Sequence, residues 1–401
     1  MNTKLLIALV VCVLANHAHA CLWDNDTLNM ERARFPGALE LIAGKFARHS
    51  DEYYRWRIED RLARLKNSPQ ELKLYDDLAV AYDKLGQHDQ AIQTILEKEK
   101  IQPGLYETFA NLGTFYIHAG EWETGVEFIR QAIQINPDAH FGREEYQVQV
   151  IEYVISKQVD GQTTYPLSLG DEGYCDVDDF AKFVLSTKDI SIFDNEAAKP
   201  ELRRAARGVM GMMRFGHHDS PILLECLASL LMADDWDDNK QLATRAILKA
   251  AAAFEDPSVQ AKYRELAKYI SDAQVLPTFP HDNDDQTLAI IEAAFQQEMA
   301  EAEQWFAQLR RDEINWIQNG IDVDAAYTER YFGITAFKEL VPTVRTTDSR
   351  ELRRTENALA IRRLIRLAVM VLVVAPLTLI LMVIAWRNWR HRRRRLTSAG
   401  S

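Results

Sequence analysis

The chain has 401 residues, of which 47% are hydrophobic and 26% charged, and its formal net charge is −12. This composition is typical of a folded protein long enough for two or three domains, and it excludes an intrinsically disordered chain. Because an acidic protein repels the phosphate backbone, we predict that it has no nucleic-acid partner.

Residues 1–20 have the pattern of a secretory signal peptide. Lys4 precedes an apolar run of eleven residues, and the small residues Ala18 and Ala20 lie at the positions before Cys21 that signal peptidase reads. Eleven apolar residues are too few to cross a bilayer. We therefore predict a cleaved signal, with lipidation of Cys21 as the alternative.

Two helices are predicted before the most regular part of the chain. Pro36 begins a helix that runs to about His49, and Ser50 caps a second helix that runs to about Lys66. The apolar residues of the second helix keep helical spacing. We predict that this pair is a degenerate capping hairpin stacked on the helices that follow it.

Two further helical hairpins follow between Tyr75 and Pro137, with a period of 34 residues. The residues that recur in register are Leu78 and Leu112, Tyr82 and Tyr116, Gly86 and Gly120, Ile95 and Ile129, and Pro103 and Pro137. Glycine permits the tight turn within a hairpin, and proline ends its second helix. A constant period of this kind indicates stacked helix-turn-helix repeats, each burying its apolar face against its neighbours.

Within each hairpin an aromatic residue, Leu, Gly or Ala, Tyr, Gly, a large apolar residue and Pro follow one another in a fixed order. Over residues 72–137 this order closely resembles the tetratricopeptide repeat family. The resemblance implies an all-α fold, an α-α superhelix of helical hairpins, which binds a protein or peptide ligand in a concave groove. Two residues depart from the family pattern, Lys98 and Gly125, since the family has Ala at both positions.

The resemblance also implies which residues contact the ligand, because the family uses the first helix of each hairpin. In this register they are Lys73, Asp76, Val80, Asp83, Lys84, Glu107, Ala110, Thr114, Ile117 and His118. The members that clamp a C-terminal carboxylate have Asn where this chain has Val80 and Thr114, which argues against that class of ligand.

The repeat region is predicted to extend over residues 21–157 and to end with a helix from Asp138 to Ser156. Glycine and proline breakers then indicate a connecting insertion over residues 158–199. The insertion contains Cys175, which we predict to form a disulfide with Cys21 in an oxidising compartment. Lipidation of Cys21 would exclude that bond. Cys226 lies among leucines and is predicted to be a buried free thiol.

Residues 200–273 are predicted to form degenerate helical repeats. Their helices run over Pro200–Phe215, Pro221–Met232, Lys240–Phe254 and Pro257–Ala273. Between the first two lies His217-His218-Asp219, the best metal candidate of the sequence. Adjacent histidines do not easily face one ion, and no neighbouring His or Cys completes a ligand set. We therefore predict no metal site and no cofactor.

A long helix is predicted from Gln286 to about Asn319 within a closing segment over residues 286–340. Its apolar stripe consists of Leu288, Ile291, Phe295, Met299, Ala302, Phe306 and Leu309. Near-heptad spacing permits a coiled coil with another chain, which would make a homo-oligomer. Packing as the last helix of the repeat array is the alternative.

The C-terminal part is predicted to anchor the protein in a membrane. A polar stalk over residues 341–366 leads to an uncharged apolar stretch, 367–386, whose length fits a single transmembrane helix. A basic tail over residues 387–401 follows. With a cleaved signal, this topology places the body outside the cytoplasm, and the chain resembles bacterial envelope proteins of the inner membrane that combine tetratricopeptide repeats with one C-terminal span.

Known catalytic motifs are absent from the sequence, and no nucleophile with an adjacent base can be nominated. We predict a non-catalytic, membrane-anchored scaffold or adaptor for protein-protein interaction, facing the periplasm or cell exterior. The alternatives are a structural oligomer formed through the 286–319 helix and a metal-dependent hydrolase that uses the acidic loops.

Overall fold

The structure is a computed structural model that describes Asp24 and residues 35–137, 139–169, 175–234, 237–272 and 284–332. The described helices are α1 (Ala38–Ala43), α2 (Asp51–Asn67), α3 (Leu72–Lys84), α4 (His88–Ile101), α5 (Tyr106–His118), α6 (Trp122–Ile135), α7 (Arg143–Ser156), α8 (Asp179–Ser186), α9 (Asn195–Phe215), α10 (Pro221–Ala233), α11 (Asp237–Ala251), α12 (Pro257–Asp272), α13 (Asp284–Gln318) and α14 (Val323–Tyr327). A 3-10 turn over Ala139–Gly142 precedes α7, and a π-helical turn over Thr328–Phe332 follows α14. All these residues belong to one unit, Met1–Val344, whereas the second unit, Arg345–Ser401, lies outside the described residues.

Helices α3 and α4 form the first predicted repeat, and α5 and α6 form the second. Gly86 and Gly120 lie between the helices of each pair with φ angles of 73° and 87°, a backbone conformation that suits glycine. The apolar landmarks of both repeats are buried, namely Leu78, Ile95, Leu112 and Ile129. In the described residues the predicted all-α class and its packed helical hairpins are confirmed.

A contact between two glycines sets the approach of α5 to α6. A Cβ atom on Gly125 would lie 2.7 Å from the carbonyl oxygen of Gly113 and 2.5 Å from the Ile117 side chain. A Cβ atom on Gly113 would lie 2.8 Å from the carbonyl oxygen of Gly125. A close-packed interior has no room for either methyl group. Gly125 therefore departs from the family pattern because these two helices lie closer together than an alanine allows.

The first helix is much shorter than the sequence predicts. Helix α1 ends at Ala43, and not near His49, because Gly44 adopts a φ of 85° and its N–H bonds to the carbonyl oxygens of Glu40 and Leu41. The chain then continues without helix to Ser50, whose hydroxyl accepts a hydrogen bond from the Tyr53 N–H at the start of α2. The residues between Gly44 and Ser50 are thereby available to line a cavity.

The connecting insertion contains a short hairpin and one helix. Strands β1 (Gln158–Val159) and β2 (Gln162–Thr163) pair antiparallel, and α8 follows. Helix α9 begins at Asn195, five residues before the predicted start, and the Asp194 side chain accepts a hydrogen bond from the Ala197 N–H at its first turn. Pro200 lies inside this helix, so the predicted start at proline is wrong.

A buried carboxylate attaches the insertion to the helices that follow. Glu225 of α10 accepts hydrogen bonds from the backbone N–H groups of Leu167 at 3.0 Å and Ser168 at 2.8 Å. It also accepts one from the Tyr263 hydroxyl of α12 at 2.9 Å. Burial raises the pKa of Glu225, and these donors oppose the rise. One acidic side chain thus joins three segments of the chain.

The long helix α13 packs inside the unit. Of its predicted stripe, Leu288, Ile291, Phe295, Ala302 and Leu309 are buried and Met299 and Phe306 are partly buried. Its neighbours include α12, α11, α1 and α2 of the same chain. The stripe therefore packs against helices of the same chain, as in the second of its two predicted roles, and the homo-oligomer stays a prediction.

Helices α13 and α14 return to the N-terminal helices through two acidic residues, which we call the clasp. Glu313 accepts a hydrogen bond from the Ser50 N–H at 3.0 Å, and its other oxygen lies 2.6 Å from His49 Nδ1. Asp324 accepts hydrogen bonds from the Tyr53 hydroxyl at 2.7 Å and from Arg61. The beginning and the end of the described array are thus joined.

The main hydrophobic core extends from Leu41 to Ala302 and joins part of the second repeat to the insertion and the degenerate repeats, whereas the first repeat has a smaller cluster of its own around Ala79, Ile95 and Leu112. Among the described residues no helix is long and apolar enough to span a bilayer. The predicted signal (1–20), stalk (341–366), span (367–386) and tail (387–401) lie outside the described residues and stay predictions.

The described cysteines are Cys175 and Cys226, and both are free thiols. Cys226 is buried, as predicted. Cys175 is partly buried. Its predicted partner Cys21 lies outside the described residues, so the Cys21–Cys175 disulfide stays a prediction.

Candidate functional site

The concave face of the two repeats is covered by the chain itself. Of the predicted ligand-contacting residues, Lys73 is exposed and Lys84 and Glu107 are partly buried. The others are buried, namely Asp76, Val80, Asp83, Ala110, Thr114, Ile117 and His118. The covering groups include Gln147 of α7, whose amide donates to the Thr114 hydroxyl at 3.3 Å, and His217, whose ring lies edge-on to His118. Ligand binding by these positions stays a prediction.

Asp76 is engaged by a residue that departs from the family pattern. The Lys98 ammonium lies 2.7 Å from both carboxylate oxygens of Asp76, and the Asn111 amide donates to one of them at 3.2 Å. Lys98 is only 1% exposed and Asp76 5%. Burial raises the pKa of Asp76 to about 7, although Lys98 opposes the rise. Lys98 therefore replaces the usual alanine because it neutralises an aspartate of the first helix.

A cavity of about 470 Å³ lies beside the covered groove. We call it the cationic pocket. Its walls come from the segment after α1, the start of α2, the end of α3, the connection between α9 and α10, and α13. The lining residues are Asp24, Phe46, Arg48, His49, Ser50, Asp51, Glu52, Tyr54, Arg55, Val80, Lys84, Arg214, Phe215, Gly216, His217, His218, Asp219, Phe306 and Arg310. Two predicted groove positions, Val80 and Lys84, thus open onto it.

Three cations lie on the inner wall of the pocket. The Lys84 ammonium donates to the carbonyl oxygens of Phe215 at 2.7 Å and Gly216 at 2.5 Å, which holds the α9–α10 connection against α3. Arg48 donates to the Gly44 carbonyl, and Arg214 is 5% exposed. Burial lowers the pKa of Arg48 to about 10 and that of Lys84 to about 8. These values show that desolvation outweighs the attraction of the nearby carboxylates.

Carboxylates lie mainly at the rim. The Asp51 carboxylate lies 3.5 Å from the Arg55 guanidinium. Glu52 accepts a hydrogen bond from Arg310 Nε at 3.0 Å. All four side chains lie on the surface side of α2 and α13. Deeper in, Asp24 accepts a hydrogen bond from the buried Arg57 at 2.8 Å. The rim acids Asp51 and Glu52 therefore have basic partners of their own. Asp219 also lines the pocket and attracts Arg48 and Lys84, so the three inner cations face the carboxylates of Asp24 and Asp219 and keep the wall net positive.

Aromatic rings complete the wall. The Arg48 guanidinium lies 3.7 Å from the centre of the Phe306 ring and 5.2 Å from that of Phe46, which is cation–π geometry. The His218 ring lies edge-on to Phe46 at 5.3 Å, and burial lowers its pKa well below the ordinary value. A ligand in this pocket would meet flat apolar surfaces around fixed positive charge.

Sequence reasoning missed Arg48, Arg214, Phe215 and Phe306 as pocket residues. Phe46-Ala47-Arg48 lies in a stretch predicted as helix, and Phe306 was assigned to the core. A usable signal is the segment Arg214-Phe215-Gly216-His217-His218, which concentrates basic and aromatic residues at a break between two helices of an acidic chain. Its partner Lys84 is distant in sequence and is brought there only by the fold.

Beside the pocket, Asp83, His88 and His118 form a cluster whose possible metal-ligating atoms all lie within 4.8 Å of one another. Asp83 belongs to α3, His88 begins α4 and His118 ends α5. Burial alone would raise the pKa of Asp83, but the two histidines outweigh it, so this pKa lies below the ordinary value. After α10, Asp234 accepts a hydrogen bond from the Arg203 guanidinium at 3.1 Å, which is an ordinary surface ion pair.

Comparison with known proteins agrees with the repeat geometry. The family model for the tetratricopeptide repeat matches residues 72–103, which contain helices α3 and α4. A search of curated proteins finds no significant match to the chain. The matched residues include the glycine turn at Gly86 between the two packed helices. Residues 72–103 are therefore a tetratricopeptide repeat.

Proposed function

We propose that the protein is a non-catalytic scaffold that binds partner proteins by holding an acidic peptide segment in the cationic pocket. The family supports the general role, since tetratricopeptide repeats are protein-interaction modules. The observation that carries the specific role is the positive inner wall of the pocket in a chain of net charge −12. A partner segment with carboxylates would find cations grouped there in a protein that is acidic as a whole.

The pocket has the size and chemistry of a ligand site. Its volume of about 470 Å³ lies within the range of roughly 300–1,000 Å³ that is usual for such sites. Lysine and arginine groups that are partly withdrawn from water attract an anion more strongly than groups on the open surface. Phe46 and Phe306 offer apolar contact for the methylene groups of a Glu side chain or for a flanking residue.

The filled groove directs a partner to this pocket. Because α7 and the α9–α10 connection cover the inner face of the repeats, an extended peptide would have to displace buried contacts in order to lie along that face. At the pocket the same helix α3 contributes Val80 and Lys84 to the wall. The repeats therefore act as one wall of the site and not as the whole site.

The test compares Lys84→Met with Lys73→Met. Both residues lie on α3, but Lys73 is exposed and does not line the pocket. We expect Lys84→Met to weaken the binding of a fluorescent Glu-rich peptide by about tenfold or more, because a desolvated charge pair is lost. Lys73→Met should change the affinity by less than about twofold, because an exposed charge outside the pocket contributes little.

Circular dichroism would establish that both variants remain helical. Equal affinities for the two variants, or equal binding of a Lys-rich peptide of the same length, would reject the pocket as an acidic-peptide site. Binding of small anions alone, without the peptide, would identify a small-molecule site.

We further propose that the body faces the periplasm or cell exterior of a bacterial inner membrane, held by residues 367–386. The support is the sequence of the signal (1–20) and of the apolar stretch. Protease added to intact spheroplasts should digest the body of the full chain, whereas deletion of residues 2–20 should protect it. Protection of the full chain would reject this orientation.

A further inference from the structure

We propose that Asp83, His88 and His118 bind a divalent transition-metal ion of the zinc class. The site is separate from the cationic pocket and requires no partner protein. It joins the first repeat to the second, because its three residues come from α3, α4 and α5.

The ligand atoms already converge on one point. His88 Nδ1 and His118 Nδ1 both lie 2.8 Å from the same oxygen of Asp83, and His118 Nδ1 lies 2.9 Å from the other oxygen. Ligands at about 2.0–2.1 Å around a tetrahedral zinc ion are separated by about 3.3 Å. The nitrogen–oxygen distances would lengthen by about 0.5 Å to reach this spacing. The possible ligand atoms of all three side chains already lie within 4.8 Å of one another, so small side-chain rotations would close them around the ion.

The turn of the first hairpin creates half of this arrangement. Gly86, with a φ of 73°, reverses the chain between Asp83 and His88 and brings their side chains together. The stacking of the second repeat on the first then places His118, the last residue of α5, on the same carboxylate. Both the local turn and the repeat stacking therefore contribute to the cluster.

Charge in the interior supports a cation. Asp83 is 1% exposed, and a buried carboxylate is stable only with a cationic or strongly donating partner. Its hydrogen-bonding partners here are imidazoles, which are also the commonest metal ligands in proteins. A divalent ion would neutralise the carboxylate and use the imidazole nitrogens at the same time.

The donor set selects the class of ion. Two imidazole nitrogens and one carboxylate oxygen suit Zn²⁺, Co²⁺ and Ni²⁺, whereas Mg²⁺ and Ca²⁺ prefer oxygen ligands alone. Three protein ligands leave a fourth tetrahedral position for water. The His88 side chain is 16% exposed, so an ion can enter from that side. On the other side lies His217, whose ring centre is 5.8 Å from that of His118.

The competing explanation is a purely structural cluster. In that case the two histidines serve only as hydrogen-bond donors to a buried carboxylate. Such a cluster would hold no ion, and zinc would not change the stability of the protein. Metal binding therefore decides between the two explanations directly.

The experiment uses the full chain after treatment with a chelator, titrated with Zn²⁺ in competition with a chromophoric indicator. We expect one tightly bound ion per chain, and His88→Ala should weaken it by about 100-fold or more, because even residues that only support a ligand contribute 10–100-fold. Asp89→Asn is the matched control, since Asp89 is exposed, adjoins His88 and lies outside the cluster. The control should bind zinc as the unmodified chain does.

Two further measurements keep the result interpretable. Circular dichroism would show whether His88→Ala is folded, and the visible absorption of bound Co²⁺ should be lost in Asp83→Asn as well as in His88→Ala. Absence of a stoichiometric ion, or equal affinity in His88→Ala and the unmodified chain, would overturn the proposal. Because the readout is the ion, this result is independent of peptide binding at the cationic pocket.

Discussion

The buried pair of Lys98 and Asp76 gives the sharpest test of how the first repeat is stabilised. Lys98→Met would remove the ammonium that lies 2.7 Å from both carboxylate oxygens, and both residues are almost fully withdrawn from water. Removing one partner of such a pair costs about 3–5 kcal/mol, because the remaining charge is left without compensation. We expect Lys98→Met and Asp76→Leu each to lower the free energy of unfolding by about that amount.

The double variant should be much less harmful than either single change. Replacing both charges with apolar side chains of similar size is often neutral or stabilising by about 1–4 kcal/mol. In this site Asn111 would lose its contact with Asp76, which offsets part of that gain by about 1–3 kcal/mol. We therefore expect the free energy of unfolding of the double variant Asp76→Leu/Lys98→Met to lie within roughly 2 kcal/mol of that of the unmodified chain.

Urea unfolding followed by circular dichroism would measure these differences and the coupling energy between the two positions. The control is the pair Asp51 and Arg55, whose side chains are 67% and 59% exposed and 3.5 Å apart. Breaking it should cost less than about 1 kcal/mol. If Lys98→Met costs no more than this control, or if the double variant is as unstable as the single ones, the buried pair does not stabilise the repeat as reasoned.

Three other predictions concern packing, pH and the insertion. Gly125→Ala should lower the free energy of unfolding by about 1–3 kcal/mol through overpacking, and a urea midpoint equal to that of the unmodified chain would refute the close contact. The pKa of Asp324 is lowered, since Arg57 and Arg61 outweigh the effect of burial. The stabilisation by this carboxylate is therefore present above the ordinary aspartate pKa of about 4 and is lost as the pH falls through the lowered value. The free energy of unfolding of Asp324→Asn should consequently depend less on pH in that acid range than that of the unmodified chain. An equal slope for the two proteins would contradict this. Glu225→Ala should release the segment around Leu167 and Ser168, detected as faster limited proteolysis there, and unchanged cleavage would show that the three hydrogen bonds are dispensable.

The sequence predicts the repeats well because their information is local and periodic. The landmarks between Leu78 and Pro137 repeat at a constant interval, and each has a short-range role in a turn or a helix face. The same pattern also exposes Lys98 and Gly125 as exceptions. It does not explain them, since the reason for each lies in a contact with another helix, at Asp76 and at Gly113.

The candidate sites depend on contacts that no local pattern contains. Lys84 and Phe215 are 131 residues apart in sequence, and their hydrogen bond helps to form the cationic pocket. The sequence predicts no metal site at His217 because, apart from the adjacent His218, no His or Cys lies near it in the chain, yet the fold places His217 beside His118. The early end of α1 at Gly44 also depends on a single φ angle, and the pocket residues after it were therefore predicted as helix.

The clasp between the last helices and the first has a mechanical consequence. A repeat array in which each unit contacts only its neighbours can lengthen like a spring, because its units separate one after another under tension. Here Glu313 and Asp324 tie α13 and α14 directly to His49, Ser50 and Arg61 near the start of the array. A pull between residues 35 and 332 would load these buried hydrogen bonds first, so we expect a stiff body that yields abruptly when the clasp breaks.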